Sequence, residues 1–172
     1  LDGFSVSKGI ALNIDATFTN GLTLNAGAML MDVSITENNV KRKQLLTESF
    51  SGVWSISYKF NNNITLDYTG NIFGPMRLPL LGENDTRSKN SPWYSIQNIQ
   101  VTKKFMNSWE LYGGVKNLLN FTPNANSINS ANNPFDLGIN TEENPELAFD
   151  PSYIYASNQG IRMFLGLRYT IF

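Results

Sequence analysis

Strict alternation of apolar and polar residues runs through this sequence and constrains its fold more than any other feature. From Phe50 to Phe60 the even positions carry Phe, Gly, Trp, Ile, Tyr and Phe, whereas the odd positions carry Ser, Val, Ser, Ser and Lys. Successive side chains of a β-strand point to opposite faces of its sheet, so a period of two predicts a strand with two unlike faces. The chain is therefore predicted to be built from amphipathic β-strands.

The same alternation recurs along the chain and predicts an all-β protein with seven strands. They are Ile10 to Phe18, Leu22 to Leu30, Phe50 to Phe60, Ile64 to Ile72, Ile99 to Phe105, Trp109 to Val115 and Ile161 to Phe172. Several rows run for 9 to 11 residues, longer than the usual strand of about five or six but matched to a tilted bilayer crossing. Lys103 falls in an apolar row, but it lies beside a turn that its ammonium is expected to reach.

Composition favours a membrane protein without membrane-spanning helices. Only 16% of the residues are charged and 12% are aromatic, whereas soluble chains carry roughly 25% charged residues. Apolar stretches such as Ala28 to Met31 are far shorter than the roughly 20 residues of a spanning helix. Because closed barrels are the other structure that pairs every backbone group inside a bilayer, the strands predict an antiparallel transmembrane β-barrel.

The connections between these strands alternate in length. Short turns lie at Thr19 to Gly21, Asn61 to Asn63 and Met106 to Ser108, and the long links are Glu37 to Gln44, Gly74 to Pro92 and Asn120 to Gln159. Short periplasmic turns and long extracellular loops are typical of outer-membrane barrels. The apolar rows also carry aromatic residues near the short turns, predicting an inner aromatic girdle. These residues are Phe18, Tyr58, Phe60, Phe105, Trp109, Tyr169 and Phe172.

The residue types exclude several classes of function. The chain contains no His and no Cys, which excludes zinc fingers, haem ligation by His and nucleophile–His catalytic sets. A net charge of -1 offers no basic surface for a nucleic acid. Asp15, Asp67 and Glu110 are interpreted as structural partners of Lys59, Lys116 or an arginine. We therefore predict no enzymatic activity, no cofactor and no metal site.

From Trp109 onward the sequence resembles the carboxyl-terminal region of TonB-dependent outer-membrane receptors of the Bacteroidetes type. The motif Asn117-Leu118-Leu119-Asn120 follows the penultimate strand, and the last strand opens with Gly160 and Arg162 and carries alternating aromatic residues. The resemblance covers roughly the last 65 residues. It implies a barrel of about 22 strands in the outer membrane of a Gram-negative bacterium. Residues 1–172 would then be the carboxyl-terminal segment of that barrel.

The resemblance also implies a function and a set of partners. Such a receptor imports a bulky nutrient, such as a ferric chelate, a cobalamin-like cofactor or another large solute. Its partners are outer-membrane lipid, the remainder of the barrel, the plug, TonB acting through an amino-terminal region, and in some cases a surface lipoprotein. The odd number of predicted strands also calls for further strands, since bacterial barrels have even counts.

Candidate ligand-binding residues lie on or beside the two longest links, because long ordered loops are commonly functional. They are Arg87, Trp93, Tyr94, Phe135, Tyr153 and Tyr155. The competing interpretation is a solvated loop with interfacial anchors. Two alternatives for the whole chain also remain at this point. One is a soluble β-sandwich, and the other is a complete eight-stranded barrel with a role in adhesion, proteolysis or envelope stability.

Overall fold

The computed structural model describes residues 3–80, 88–105, 108–123 and 154–171, and within them it is all-β. The strands are β1 (Gly3–Thr17), β2 (Leu22–Glu37), β3 (Val40–Lys43), β4 (Phe50–Phe60), β5 (Ile64–Phe73), β6 (Tyr94–Phe105), β7 (Trp109–Lys116) and β8 (Arg162–Tyr169). No helix in this part of the chain is long and apolar enough to cross a bilayer.

All eight strands belong to one antiparallel sheet. Its order is β1-β2-β4-β5-β6-β7-β8, with β3 paired to β2 beside this path. The predicted all-β antiparallel architecture is confirmed, and every predicted strand is present. Three strands extend well beyond their predicted bounds, since β1 begins at Gly3, β2 continues to Glu37 and β6 begins at Tyr94.

The predicted count of seven strands is wrong, because the link from Glu37 to Gln44 contains the additional strand β3. Asn38 and Asn39 form its turn with φ angles of 47° and 61°. Positive φ at both central residues is the geometry of a tight hairpin, and Asn tolerates it better than most residues. The charged segment Val40–Lys43 carries no apolar alternation, so the strand was not visible in the sequence pattern.

The register brings the apolar rows of neighbouring strands onto one face of the sheet. One such row runs across six strands through Leu22, Tyr58, Leu66, Val101, Gly113 and Leu165. The row beside it, on the opposite face, runs through Thr23, Ser57, Asp67, Gln100, Gly114 and Phe164. We call the first side the apolar face and the second the polar face. This segregation arises because the pairing register runs from β2 to β8 without a slip of one residue.

The apolar face is not packed against other described residues. Ile10 is 78% exposed, Leu165 78% and Met163 82%, and the buried apolar residues are Met76, Leu78 and Tyr94. A soluble sandwich would cover such a face with a second sheet about 10 Å away. In the described part of the chain no second sheet is present.

Polar side chains on the apolar face are hydrogen-bonded to one another. The Tyr68 hydroxyl donates to Gln97 Oε1 (2.6 Å), and Gln97 Nε2 donates to Ser95 Oγ (3.2 Å). The Ser95 hydroxyl donates in turn to the backbone oxygen of Asn71 (2.7 Å). Ser95 and Gln97 lie in the part of β6 that sequence analysis did not predict. Their mutual pairing lowers the cost of placing them on this face.

The end of the sheet with the short turns carries aromatic pairs and one hydrogen-bonded lysine. Rings contact one another in the pairs Tyr58–Phe60 (4.7 Å between centroids) and Trp109–Tyr169 (4.6 Å). The Lys103 ammonium donates to the backbone oxygen of Asn62, which confirms that it reaches the turn. Phe172, Met106 and Asn107 lie outside the described residues.

Gly70 makes room for the largest ring on the apolar face. A Cβ at Gly70 would overlap the indole of Trp54, its direct neighbour across the strands. We therefore expect Gly70→Ala to lower the free energy of unfolding by about 1–3 kcal/mol through overpacking. Urea denaturation of the protein would measure the change. In a Trp54→Leu background the same substitution should cost much less, and an equal cost there would contradict the proposed ring contact.

Candidate functional site

Tyr94 is the centre of an aromatic cluster at the end of the sheet with the long links. Its ring stacks on Phe121 with centroids 4.8 Å apart and planes at 12°. It also contacts Phe73 (5.0 Å) and Tyr155 (5.6 Å). Its hydroxyl donates to the backbone oxygen of Tyr155 (3.2 Å). We call Phe73, Tyr94, Phe121 and Tyr155 the rim cluster.

The structure separates the candidate binding residues predicted from the sequence. Tyr94 and Tyr155 lie together in the rim cluster. Trp93 is 55% exposed, and its ring lies 5.5 Å from that of Phe50. Phe50 pairs with Leu30 in a row of the apolar face, so Trp93 contacts that side of the sheet. Arg87, Phe135 and Tyr153 lie outside the described residues.

Burial limits what Tyr94 itself can do in binding. Only 8% of the residue is exposed, and its ring faces neighbouring aromatic rings. Aromatic pairs of this geometry contribute about 0.5–1.5 kcal/mol each beyond the area that they bury. Tyr94 therefore anchors the chain at Phe121 and Tyr155, the two ends of the longest link, onto the sheet.

Asn117 joins the same two ends through its side-chain amide. Its Nδ2 donates to the backbone oxygens of Phe121 (2.7 Å) and Gln159 (3.0 Å), and its Oδ1 accepts from the Phe121 amide (2.9 Å). The residue is 5% exposed and has a φ of 53°. Its backbone amide donates to Asn98 Oδ1 on the neighbouring strand β6 (3.1 Å). Asn117 therefore uses every hydrogen-bonding atom of its side chain to hold the two ends of the link at one point.

Asn120 adds a second tie between these ends. Its Oδ1 accepts from the backbone amide of Ile161 (2.8 Å), and its own backbone amide donates to the backbone oxygen of Asn117 (2.8 Å). It too has a φ of 53°. Asn is among the few non-glycine residues that adopt this conformation readily. We call Asn117 and Asn120 the loop-base clamp. The motif was visible in the sequence, but its contacts with Gln159 and Ile161 were not.

The polar face carries a shallow cavity of ≈ 390 Å³ with several hydrogen-bonding groups. Asp67 contributes a carboxylate, Thr69 a hydroxyl, and Asn98 and Gln100 contribute amides. At its edge the Lys116 ammonium lies 5.5 Å from the centre of the Phe164 ring. Such a surface can hydrogen-bond a polar solute or a polar protein surface.

A charge ladder crosses three strands of the polar face near the short turns. Glu110 lies 3.0 Å from the Lys104 ammonium and 3.0 Å from the Arg168 guanidinium. The three residues are direct neighbours across β6, β7 and β8. The prediction that Glu110 pairs with an arginine is confirmed, and Lys104 is a partner that was not predicted. In the described ranges, no group of three or more acidic residues is placed to hold a metal ion.

Further along the polar face, a second cavity of ≈ 400 Å³ is bordered by small and apolar residues, including Gly27, Ser51 and Val53. Both cavities therefore lie on the polar face of the sheet. No family model and no curated protein matches the chain, so its function is inferred from the two faces, the rim cluster and the loop-base clamp.

Proposed function

We propose that this sheet is a section of the wall of a large transmembrane β-barrel, and that the barrel belongs to a TonB-dependent receptor. The apolar face contacts hydrocarbon, and the polar face borders a hydrated interior. The receptor imports a bulky nutrient, such as a ferric chelate, a cobalamin-like cofactor or another large solute, across a Gram-negative outer membrane. The observation that carries the proposal is an unpacked apolar face that extends across an antiparallel sheet whose edge strands are β1 and β8.

Energetics support a hydrocarbon environment for this face. Transfer of a Val, Leu, Ile, Phe or Met side chain out of water is worth about 1.5–3 kcal/mol. Many such residues of the apolar face are 40% or more exposed, among them Leu12, Leu111 and Leu167. Soluble monomers rarely leave contiguous apolar patches larger than a few hundred Å² in water. The hydrogen bonds joining Tyr68, Gln97 and Ser95 also meet the requirement that polar groups in a bilayer find partners.

Strand direction supports a barrel larger than this sheet. Six antiparallel steps separate β1 from β8, so these two strands run in the same direction. Closing the sheet on itself would join them by a parallel seam, whereas bacterial barrels are antiparallel with even strand counts. The additional strand β3 does not remove this obstacle, because it pairs only with β2. Further strands beside β1 and β8 would close the barrel.

The receptor type is supported by the motif Asn117 to Asn120 and by the pattern of the last strand. In this proposal the loop-base clamp and the rim cluster fix the base of an extracellular loop that captures solute. The polar face supplies amide, hydroxyl and carboxylate groups toward the plug or the solute. TonB, the plug and a surface lipoprotein remain proposed partners.

The medium at each face can be tested by single-cysteine labelling, because the chain has no native cysteine. Ala26 and Asn25 are adjacent and exposed in the middle of the part of β2 that pairs with β4, on the apolar and the polar face respectively. In the full-length receptor in outer membranes, Asn25→Cys should react with a charged, water-soluble maleimide at least tenfold faster than Ala26→Cys. Ala26→Cys should react preferentially with a membrane-soluble maleimide. Equal rates with the water-soluble reagent at both positions would contradict the assigned faces.

Two further measurements separate the transporter from the small-barrel alternative. Growth on a ferric chelate or cobalamin as the limiting nutrient should depend on both the receptor gene and the tonB gene. The 172-residue chain refolded alone in detergent should not form a protease-resistant, heat-modifiable barrel. If it did, the complete eight-stranded barrel would become the better explanation.

A further inference from the structure

Two cations of β3 lie on the membrane side of the sheet. Lys43 pairs in register with Ser34, and Lys41 pairs with Thr36. Ser34 and Thr36 share the parity of Leu30 on β2, and the register along β1 and β2 continues without a slip. Because directly paired residues share a face, both lysines project on the same side as the apolar face.

A third cation lies beside them, and it is already neutralised. The Lys8 ammonium is 3.6 Å from the Asp32 carboxylate, its direct cross-strand neighbour on that side. Lys41 and Lys43 therefore keep two positive charges that Asp32 does not balance. Lys43 also borders a cavity whose other charged residues are Asp32, Glu48 and Arg77. The cations Lys8, Lys41, Lys43 and Arg77 therefore outnumber the carboxylates of Asp32 and Glu48 by two.

These cations begin where the apolar face ends. The last fully apolar row across β1, β2 and β4 is Ile10, Leu30 and Phe50, and the exposed Trp93 ring contacts Phe50. Asp32 follows Leu30 on the same side of β2, with Ser34 beyond it. Aromatic residues of membrane proteins concentrate at the level of the headgroups. In the proposed membrane orientation, Lys41 and Lys43 therefore lie at headgroup height.

Ser34 gives this surface a buried and unpartnered polar atom. The residue is 5% exposed, and among the described residues its hydroxyl has no hydrogen-bond partner. It lies directly between Val6 on β1 and Lys43 on β3. Buried polar groups in folded proteins are almost always paired, so a missing partner calls for an explanation.

We propose that Ser34, Lys41 and Lys43 bind the phosphate of an anionic lipid headgroup in the leaflet on the side of the long links. Ammonium groups and a hydroxyl donate charge-assisted hydrogen bonds to phosphate oxygens, and the lipid chains then lie against the apolar residues below. The inference rests on the proposed membrane location of the apolar face.

The test uses the full-length receptor in phosphatidylcholine vesicles, with a fluorophore on Phe4→Cys. Phe4 pairs with Thr36 and lies on the same side as the lysines. Nitroxide-labelled phosphatidylglycerol should quench the fluorophore at a lower mole fraction than nitroxide-labelled phosphatidylcholine. In Lys41→Gln/Lys43→Gln the mole fraction of phosphatidylglycerol needed should rise roughly tenfold. Arg42→Gln is the matched control, because Arg42 pairs with Ile35 and projects on the polar face.

The outcomes separate the lipid site from its alternatives. Equal quenching by the two lipids in the unmodified receptor, or an equal loss in Arg42→Gln, would overturn the site while leaving the membrane location intact. Replacing chloride with inorganic phosphate at equal ionic strength should leave the preference unchanged. If free phosphate abolished it, the surface would bind soluble anions and the lipid assignment would fail. Quenching by neither lipid would overturn both this inference and the proposed function.

Discussion

Ile56→Arg is expected to destabilise the folded state of the protein in a bilayer. Ile56 lies in the middle of β4 on the apolar face, with Leu24 and Tyr68 as its direct neighbours. An arginine on the lipid side at mid-bilayer costs about 2–4 kcal/mol. Since 1.4 kcal/mol corresponds to a factor of ten, the ratio of folded to unfolded protein should fall by roughly 30-fold or more. The folded fraction can be measured by heat-modifiable gel mobility and by urea titration in vesicles.

Ser57→Arg provides the matched control one residue further along β4. Ser57 lies on the polar face between Thr23 and Asp67, so a guanidinium there can pair with the Asp67 carboxylate. We expect a change within about 0.5 kcal/mol, as at other sites without special packing. The two variants add the same side chain to the same strand, so they differ only in the face that receives it. Similar losses in both would show that the apolar face does not contact lipid.

The faces of the sheet could be predicted from the sequence because they depend on local information. In a strand, odd-numbered and even-numbered residues point to opposite sides of the sheet. The two faces of the strand from Phe50 to Phe60 could therefore be predicted without knowing which strands lie beside it. Register then followed, because a slip of one residue would mix the two faces. Where parity carries no signal, as in Val40–Lys43, the strand depends on the Asn38–Asn39 turn and was missed.

The rim could not be predicted in the same way, because its contacts join residues far apart in the chain. Tyr94 was predicted to bind ligand because it is an aromatic residue beside a long link. The amino-acid sequence does not show that Phe121 and Tyr155 cover its ring. Trp93 was selected for the same reason and contacts the other side of the sheet. The alternation that would have separated the two residues is interrupted by Ser95 and Gln97. The aromatic residues therefore indicated where the rim lies, but not that Trp93 and Tyr94 face opposite sides of the sheet.

Asn117→Asp is expected to release the returning end of the longest link while leaving the sheet folded. The substitution replaces the Nδ2 donor with an oxygen, which then faces the backbone oxygens of Phe121 and Gln159. Losing two hydrogen bonds and burying unpaired acceptors at a site that is 5% exposed should cost about 3 kcal/mol or more locally. Asp tolerates a positive φ much as Asn does, so the backbone conformation at this position is preserved.

Hydrogen exchange can resolve which contact is lost, because Asp and Gly at this position remove different bonds. In Asn117→Asp an acceptor oxygen remains for the Phe121 amide, whereas Asn117→Gly removes it and still permits the φ of 53°. The Phe121 amide should therefore exchange at least tenfold faster in Asn117→Gly than in Asn117→Asp. The Ile161 amide, held by Asn120 on the returning side, should exchange faster than native in both. Native exchange at Ile161 in both variants would mean that Asn117 does not hold the two ends together, and the loop base would then depend on Tyr94 and Asn120 alone.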